Sequence, residues 1–257
     1  MELLFEKNNG IARLIFNRPE KYNSVNKPLA FSFQEALDDI ANDNNVRCVI
    51  ITGNGKAFCA GQDLGEVVDP NGPPVEKIVS DHYNPIVRRI QKLEKPVIAA
   101  VNGVAAGAGA NIALACDIIV AKKSASFVQA FSKIGLIPDS GGTYSLPRAI
   151  GYAKASAIMM LGDKVMAEDA EKWGMIYKVF EDNVFEDAVN KLANTLAKMP
   201  TKALALTKSL LVQSSQNTMT EQLALEHEYQ TIAGSTYDYN EGVQAFLEKR
   251  QPEFKGE

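Results

Sequence analysis

Two apolar segments that end in glycine-rich turns constrain the fold of this 257-residue chain more than any other feature. Residues 46–52 are mostly apolar, are rich in β-branched side chains, and stop at residues 53–55, which read Gly-Asn-Gly. Residues 96–101 are equally apolar and run into a second glycine-rich stretch, residues 102–111. A strand that is apolar on both faces is typical of a sheet that is covered on both sides. The two segments therefore predict a layered α/β core with buried strands.

The rest of the chain extends this pattern and then changes character. Strands are also predicted at 11–16, 118–121 and 176–180, and helices from Pro28 to Ile40, at 78–93 and at 108–116. From residue 153 onward the apolar spacing is helical at 153–161, 167–173, 185–198, 201–214 and 219–233. We therefore predict two regions, a core over residues 1–198 and a helical region over residues 199–257.

The composition argues against several classes of protein. The chain carries 27 Lys and Arg against 31 Asp and Glu, a net charge of −4, and has no basic run of the kind that binds nucleic acid. Three cysteines, Cys48, Cys59 and Cys116, fit a reducing compartment better than a disulfide framework. Neither a secretory signal nor an uninterrupted apolar stretch of about 18 residues is visible. We expect a cytoplasmic protein with no nucleic-acid or membrane partner.

The glycine-rich residues 102–111 form a candidate binding loop. They lie between a buried strand and a helix, where the first helical N–H groups have no partner and favour negative charge. Such donors suit a phosphate or a developing oxyanion, although close helix packing explains the small residues equally well. The spacing matches neither a dinucleotide-binding fingerprint nor a P-loop.

Asp139 lies in the second glycine-rich stretch, residues 135–143. Taken alone, it is a good helix cap. Between residues 96 and 150, however, the only acidic residues are Asp117 and Asp139, and a turn between a helix and a strand explains Asp117. A carboxylate in a pocket of glycine and alanine would have a raised pKa and would suit proton transfer. Asp139 is therefore the candidate acid/base.

Other catalytic arrangements find little support in the sequence. The two histidines, His82 and His227, have no cysteine or acidic partner at metal-ligand spacing, so no metal site is expected. Ser140 and Ser145 lack the Gly-x-Ser-x-Gly setting of a hydrolase nucleophile. Cys59 sits among small residues and is better explained as a buried thiol.

Several ordered motifs resemble the enoyl-CoA hydratase/isomerase (crotonase) superfamily over essentially the whole chain. They occupy residues 17–26, 55–64, 95–103, 116–117, 135–143, 162–163 and 241–242. The resemblance implies a spiral ββα core followed by C-terminal helices that assemble homotrimers, commonly paired into hexamers. It also implies a coenzyme A thioester as the substrate, and no separate cofactor because coenzyme A is part of that substrate.

The same resemblance implies roles for particular residues. The backbone N–H groups of Gln62 and Ala108 would form an oxyanion hole for the thioester carbonyl and would stabilise an enolate. The residues implied near the coenzyme A substrate are Lys56, Ala60, Asp63 and Leu64. The residues implied to close a neighbouring subunit's site are Phe246, Lys249 and Phe254.

Two departures from the hydratase pattern favour isomerisation. Hydratases of the superfamily carry water-activating glutamates where this chain has Asn111 and Phe131. An amide cannot shuttle protons near neutral pH and a phenyl ring excludes water, so efficient hydration of a simple enoyl-CoA is not expected. Asp139 stands where some subfamilies place their acid/base, and we expect Asn111 to orient substrate or water. The two loops look most like those of members that convert ring-1,2-epoxyphenylacetyl-CoA to oxepin-CoA.

The residues leave other functions open. A Δ3,Δ2-enoyl-CoA isomerase of fatty-acid breakdown needs the same oxyanion hole and one acid/base, and an enoyl-CoA hydratase comes next. Subfamilies that catalyse dehalogenation or ring closure also use an aspartate in this region. A non-catalytic relative that binds CoA thioesters or RNA is the alternative from another class, although the acidic balance weighs against RNA.

Overall fold

Ten strands form two sheets in the computed structural model, which describes residues 1–257. The strands are β1 (Leu3–Asn8), β2 (Ile11–Phe16), β3 (Cys48–Gly53), β4 (Ala57–Cys59), β5 (Val97–Val101), β6 (Val104–Ala106), β7 (Ile118–Lys122), β8 (Ser126–Val128), β9 (Lys164–Met166) and β10 (Lys178–Phe180). The larger sheet has the strand order β1-β2-β3-β5-β7-β10, and the smaller sheet has the order β4-β6-β8-β9.

Helices cover the sheets and form the C-terminal part of the chain. The α-helices are α1 (Lys27–Asn42), α2 (Leu64–Val68), α3 (Val75–Lys77), α4 (Asn84–Lys92), α5 (Ala108–Leu114), α6 (Gly142–Ile150), α7 (Tyr152–Leu161), α8 (Ala167–Lys172), α9 (Phe185–Ala197), α10 (Thr201–Ser214), α11 (Met219–Gly234) and α12 (Tyr237–Glu248). A π-helical turn over Ile78–Tyr83 precedes α4, and 3-10 turns cover Pro19–Lys21 and Ala130–Ile134.

From β3 to β8, consecutive strands alternate between the two sheets, which gives the chain a spiral path. Strands β3, β5 and β7 of the larger sheet are followed by β4, β6 and β8 of the smaller sheet, and then by helical segments. Strands β2, β3, β5 and β7 pair in parallel, as do β4, β6 and β8. The repeated unit of strand, strand and helix is the predicted ββα spiral of an α/β fold.

Strand β3 is buried on both faces, which explains its continuous apolar sequence. On one face, Val49 and Ile51 belong to the main core of the molecule. On the other face, Cys48 and Ile50 belong to a second cluster that contains Phe185 of α9. The expectation that this strand is covered on both faces is therefore confirmed.

Most predicted elements are present, but the structure also contains several elements that were not predicted. The strands predicted at 11–16, 46–52, 96–101 and 118–121 appear as β2, β3, β5 and β7. The sequence analysis missed β1, α2, α3, α6, α12 and the three-residue strands of the smaller sheet. The continuous helix predicted at 78–93 is instead a π-helical turn that passes into α4 at Asn84.

After residue 198 the chain forms only helices, as predicted. Helix α10 is tied to the core by Lys208, whose Nζ donates to the carbonyl oxygen of Ile90 at 2.7 Å and to Asp117 Oδ2 at 2.9 Å. The boundary at residue 198 remains a prediction. None of the helices is both long enough and apolar enough to cross a membrane.

Candidate active site

Two backbone loops meet where the smaller sheet gives way to helix α5. Strand β4 runs into Gly61, which has a φ of +87°, and β6 runs into Gly107, which has a φ of +53°. A Cβ atom on Gly61 would lie 2.9 Å from the carbonyl oxygen of Ala106 and 3.4 Å from the nitrogen of Ala108. Glycine is required here because a side chain would force the two loops apart.

Each loop presents a backbone N–H donor. The Val25 N–H donates to the Gly61 carbonyl oxygen at 2.7 Å, and the Asp63 N–H donates to the Val25 carbonyl oxygen at 2.9 Å. Gln62 lies between Gly61 and Asp63 and pairs with Val25 in a parallel bridge. Both hydrogen bonds of this bridge are made by the neighbours of Gln62, so the Gln62 N–H takes no part in them. Ala108 is the first residue of α5, so its N–H has no acceptor within the helix. The structure thus brings both predicted oxyanion-hole donors onto adjacent loops.

The Gln62 side chain is held from two sides. The Tyr83 hydroxyl donates to Gln62 Oε1 at 3.0 Å, and Gln62 Nε2 donates to Glu66 Oε2 at 2.8 Å. Glu66 in turn accepts from the backbone N–H of Lys27 at 2.8 Å. Burial raises the pKa of Tyr83 well above its ordinary value, so the phenol stays a hydrogen-bond donor. Sequence analysis missed Tyr83 and Glu66, because neither lies in a glycine-rich loop.

Asp139 is a half-buried carboxylate in the turn before α6. Burial raises its pKa, and a hydrogen bond from Ser140 Oγ to Asp139 Oδ1 at 2.8 Å opposes part of that effect. Ser140 is buried and has a φ of +51°, a conformation that non-glycine residues rarely adopt. Burial is the main cause of the raised pKa of Tyr83, and negative charge, including that of Asp139, adds to it.

Asn111 is buried beneath the Asp139 turn. Asn111 Nδ2 donates to the backbone carbonyl oxygen of Asp139 at 2.8 Å, and Asn111 Oδ1 accepts from Nε2 of Gln129 at 2.8 Å. A Cβ atom on Gly142 would lie 2.4 Å from Asn111 Nδ2, so the contact requires glycine there. We expected this amide to orient substrate or water, whereas in the structure it binds protein groups on both sides. Gln129 is a further residue that sequence analysis missed.

The Phe131 ring forms an apolar wall beside the second donor. It is buried, and its Cζ and Cε2 atoms lie 3.7 and 3.9 Å from the position of a Cβ atom on Gly107. Gly107 directly precedes the donor residue Ala108. A phenyl ring has no basic atom that could activate a water molecule at this place.

Three of the residues expected near coenzyme A lie around the first loop and differ in exposure. Lys56 is exposed in the turn between β3 and β4, and Leu64 is exposed at the start of α2. Ala60 is half-buried, and its N–H donates to the carbonyl oxygen of Tyr22 at 3.0 Å. An exposed cation and an exposed apolar side chain are available to an anionic, partly apolar ligand.

Asp63, the fourth of these residues, has protein partners for both of its carboxylate oxygens. Arg18 donates to Oδ2 at 2.8 Å, and the Gly65 N–H donates to Oδ1 at 2.9 Å and caps α2. Burial acts to raise the pKa of Asp63, but these hydrogen bonds outweigh it and hold the pKa below its ordinary value. The contacts give Asp63 a structural role in fixing the segment that follows Gln62.

Phe246, Lys249 and Phe254 lie in the C-terminal helical region. Phe246 is exposed on α12, Lys249 ends that helix with a φ of +55°, and Phe254 follows in the tail. Phe254 packs beside Gly242, where a Cβ atom would lie 3.4 Å from its ring. An exposed phenylalanine next to the helix end is a surface that another subunit could contact.

The side chains form no metal-ligand cluster, and the Cys59 thiol is buried. No three or more His, Cys, Asp and Glu side chains are grouped so that they could hold a metal ion. Burial raises the pKa of Cys59 to about 12, so its thiolate is not available near neutral pH. Asp117 accepts from Lys208 and from the Val97 N–H, as expected for a structural turn.

Comparison with known proteins defines the class to which this site belongs. Residues 6–257 match the enoyl-CoA hydratase/isomerase family. The chain therefore belongs to this family, and it is an acyl-CoA isomerase or hydratase of the crotonase superfamily.

Individual relatives include both isomerases and hydratases. The chain is 49% identical over 257 residues to the 1,2-epoxyphenylacetyl-CoA isomerase of Escherichia coli strain K12, and the match covers 99% of this chain and 98% of that protein. It is 34% identical over 255 residues to the 2,3-dehydroadipyl-CoA hydratase of the same strain, covering 99% of each. The structure resembles the crystal structure of an enoyl-CoA hydratase from Bacillus anthracis with a TM-score of 0.93, 33% identity and full coverage of both chains.

Proposed function

We propose that this protein is an acyl-CoA isomerase that converts ring-1,2-epoxyphenylacetyl-CoA to oxepin-CoA through a thioester enolate. The observation that carries the proposal is the half-buried carboxylate of Asp139, in a turn that Asn111 ties to helix α5, the helix that begins at the donor residue Ala108. An amide and a phenyl ring, Asn111 and Phe131, stand at the positions where hydratases of the family carry glutamates. The 49% identity to an epoxyphenylacetyl-CoA isomerase supports the choice of substrate.

The first step of the proposed reaction is removal of a proton from the carbon next to the thioester carbonyl. The Asp139 carboxylate accepts this proton, and the electron pair moves onto the thioester oxygen. The N–H groups of Gln62 and Ala108 donate to that oxygen as its negative charge develops. One such donor contributes roughly 3–4 kcal/mol to a comparable transition state.

The second step returns the proton at a carbon of the ring. The carbon–carbon bond shared by the epoxide and the six-membered ring opens, which gives a seven-membered ring that contains the oxygen atom. No atom is gained or lost, so one carboxylate that accepts and returns a proton is sufficient. Water is not a reactant, and the apolar wall at Phe131 keeps it from competing.

The surroundings of the substrate follow from the same proposal. Lys56, Ala60 and Leu64 contact the coenzyme A moiety, and the reaction needs no cofactor beyond that moiety.

The active assembly is a homotrimer or a hexamer, in which Phe246, Lys249 and Phe254 close a neighbouring subunit's site. The protein acts in the cytoplasm without a nucleic-acid or membrane partner.

Replacement of Asp139 by asparagine tests the proposed acid/base. We expect Asp139→Asn to lower kcat on the epoxide by about 100- to 10,000-fold, because the amide cannot accept the proton. Its affinity for phenylacetyl-CoA, measured by calorimetry, should stay close to wild type. Asp187→Asn is the matched control, because Asp187 is an exposed residue on α9. Retained turnover in Asp139→Asn would overturn the assignment.

A Δ3,Δ2-enoyl-CoA isomerase is the second candidate function. The same two donors and the same carboxylate serve for moving a double bond, because that reaction also passes through a thioester enolate. Comparing kcat/KM for the epoxide, a 3-enoyl-CoA and crotonyl-CoA separates the candidates. We expect kcat/KM to be highest for the epoxide, lower for the 3-enoyl-CoA and lowest for hydration of crotonyl-CoA. If hydration of crotonyl-CoA has the highest kcat/KM, the protein is a hydratase.

A further inference from the structure

Gln129 is a buried polar residue that the proposed reaction does not use directly. It follows β8, and its side chain is almost entirely excluded from solvent. Three buried side-chain atoms lack a hydrogen-bond partner, and they are Glu2 Oε2, His82 Nδ1 and Gln129 Oε1. Of these three residues, only Gln129 donates a hydrogen bond to Asn111, the residue that binds the backbone of the Asp139 turn.

A short chain of hydrogen bonds runs from Gln129 to the acid/base. Gln129 Nε2 donates to Asn111 Oδ1 at 2.8 Å, and Asn111 Nδ2 donates to the Asp139 carbonyl oxygen at 2.8 Å. The same carbonyl oxygen accepts from the Gly142 N–H at 2.9 Å. The backbone of Asp139 is therefore fixed at its oxygen from two directions.

The Gln129 donor and the Asp139 carbonyl oxygen together fix which way the Asn111 amide faces. A carboxamide has an oxygen on one side and an NH2 group on the other, so a half-turn exchanges acceptor and donor. With Gln129 Nε2 in place, the oxygen of Asn111 faces Gln129 and the NH2 group faces Asp139. Without that donor, Asn111 Oδ1 would be a buried acceptor with no partner, and the amide would lose one of the two contacts that hold it in place.

We propose that Gln129 is a positioning residue that acts through Asn111 to hold the Asp139 carboxylate in its working place. The proposal rests on the proposed function, because it requires Asp139 to be the acid/base. It also accounts for the unpartnered Gln129 Oε1, because a buried acceptor without a partner destabilises a protein. The Gln129 amide is therefore better explained by the hydrogen bond that its Nε2 donates to Asn111 than by a contribution to stability.

Gln129→Met separates positioning from stability. Methionine has a similar length but no donor, so the variant removes one unpartnered acceptor, Gln129 Oε1, and leaves another, Asn111 Oδ1, and the number of such acceptors does not change. We expect kcat to fall about 10- to 100-fold, as for a small misplacement of a catalytic group, with the KM for the acyl-CoA and the melting temperature close to wild type. Gln213→Met, the same change at a half-buried residue of α10, is the matched control.

A double-mutant cycle tests whether Gln129 acts through Asn111. Asn111→Ala alone removes the link, so adding Gln129→Met to it should have little further effect on kcat. Additive losses in the double variant would show that the two residues act separately and would overturn the proposal.

Gln129→Glu provides a second variant if Gln129→Met does not fold. A protonated carboxyl group can donate to Asn111 Oδ1 as Nε2 does, whereas a carboxylate cannot. We therefore expect the kcat of Gln129→Glu, relative to wild type, to rise as the pH falls. A ratio that does not change with pH would count against the positioning role.

The outcomes distinguish this proposal from the proposed function. If Asp139→Asn is inactive while Gln129→Met keeps the wild-type kcat, Gln129 is not a positioning residue and the function stands. If Asp139→Asn keeps its turnover, the proposed function fails whatever Gln129→Met does.

Discussion

The reactivity of Asp139 depends on two opposing effects of its neighbours. Burial raises the pKa of the carboxyl group, whereas the Ser140 hydroxyl stabilises the ionised form. A general base must be ionised to accept a proton, so kcat/KM should fall as the pH drops through the pKa of Asp139. That acid limb should lie above the ordinary aspartate value of 3.8.

Ser140→Ala should move the acid limb of kcat/KM to higher pH. The substitution removes the hydroxyl that favours the carboxylate but keeps a Cβ atom at this positive-φ position, so the backbone preference changes little. Activity at low pH should therefore fall more than activity on the alkaline plateau. Ser145→Ala in α6 should leave the limb in place. A limb at unchanged or lower pH in Ser140→Ala would show that this hydroxyl does not tune the base.

The sequence predicts the reacting groups of the site better than the groups that support them. Asp139 is proposed because it stands alone as a carboxylate in a glycine-rich stretch, whereas Gln62 and Ala108 are implied by the resemblance to the family. Tyr83 and Gln129 could not be predicted, because their partners lie 21 and 18 residues away and the contacts depend on the fold. Local patterns carry no signal for such tertiary hydrogen bonds.

At the scale of elements, helix α5 and strand β4 fix the distance between the two donor loops. A Cβ atom on Gly109 would lie 2.3 Å from the carbonyl oxygen of Cys59. This distance is too short for two atoms that are not bonded to each other. Any side chain at this position must therefore push α5 away from β4 and separate Ala108 from Gln62.

Gly109→Ala should therefore lower both stability and activity. Overpacking of this kind costs about 1–3 kcal/mol of unfolding free energy, and the separated donors should also lower kcat. Thermal denaturation and steady-state kinetics measure the two effects. Gly234→Ala at the exposed end of α11 has no atom within 4 Å of the new Cβ and should change neither. Wild-type stability in Gly109→Ala would contradict the close packing.

Lys208 joins the C-terminal helices to the core through a buried ammonium group. It donates to the Ile90 carbonyl oxygen and to the partly buried Asp117 carboxylate. Lys208→Met leaves that carboxylate without its cation, so we expect a loss of about 3 kcal/mol of unfolding free energy in urea denaturation. Adding Asp117→Asn should restore part of the loss. No change in the single variant would show that the ion pair does not stabilise the contact.

Element length explains why the strands of the smaller sheet were missed. Strands β3 and β5 have five or six consecutive residues, most of them apolar and buried, which gives a clear pattern. Strands β4, β6, β8 and β9 have only three residues each, too few for periodicity to show. The smaller sheet exists because the spiral path places these short segments side by side.

At the scale of the whole molecule, the C-terminal helices expose apolar side chains that a single chain does not cover. Helix α11 has no buried residue, and Met219 and Leu223 on it are 75% and 56% exposed. On α12, Phe246 and Leu247 are 83% and 70% exposed. Contacts between copies of the chain would remove this surface from water.

Sedimentation should give the mass of three or six 28.0 kDa chains. The double variant Phe246→Asp, Leu247→Asp should dissociate the assembly, because it places two charges on the apolar face of α12. Its activity should fall with the loss of the assembly if Phe246 closes a neighbouring site. A wild-type protein that sediments as one chain would contradict the predicted trimer or hexamer.

Hydrogen exchange next to the thioester tests the formation of an enolate by Asp139 most directly. Phenylacetyl-CoA lacks the epoxide and does not turn over, so in D2O its C2 protons should exchange only as the enolate forms. We predict rapid exchange with wild type and a rate about 100- to 10,000-fold lower with Asp139→Asn, although both bind the thioester. Exchange by Asp139→Asn at the wild-type rate would contradict this role of Asp139.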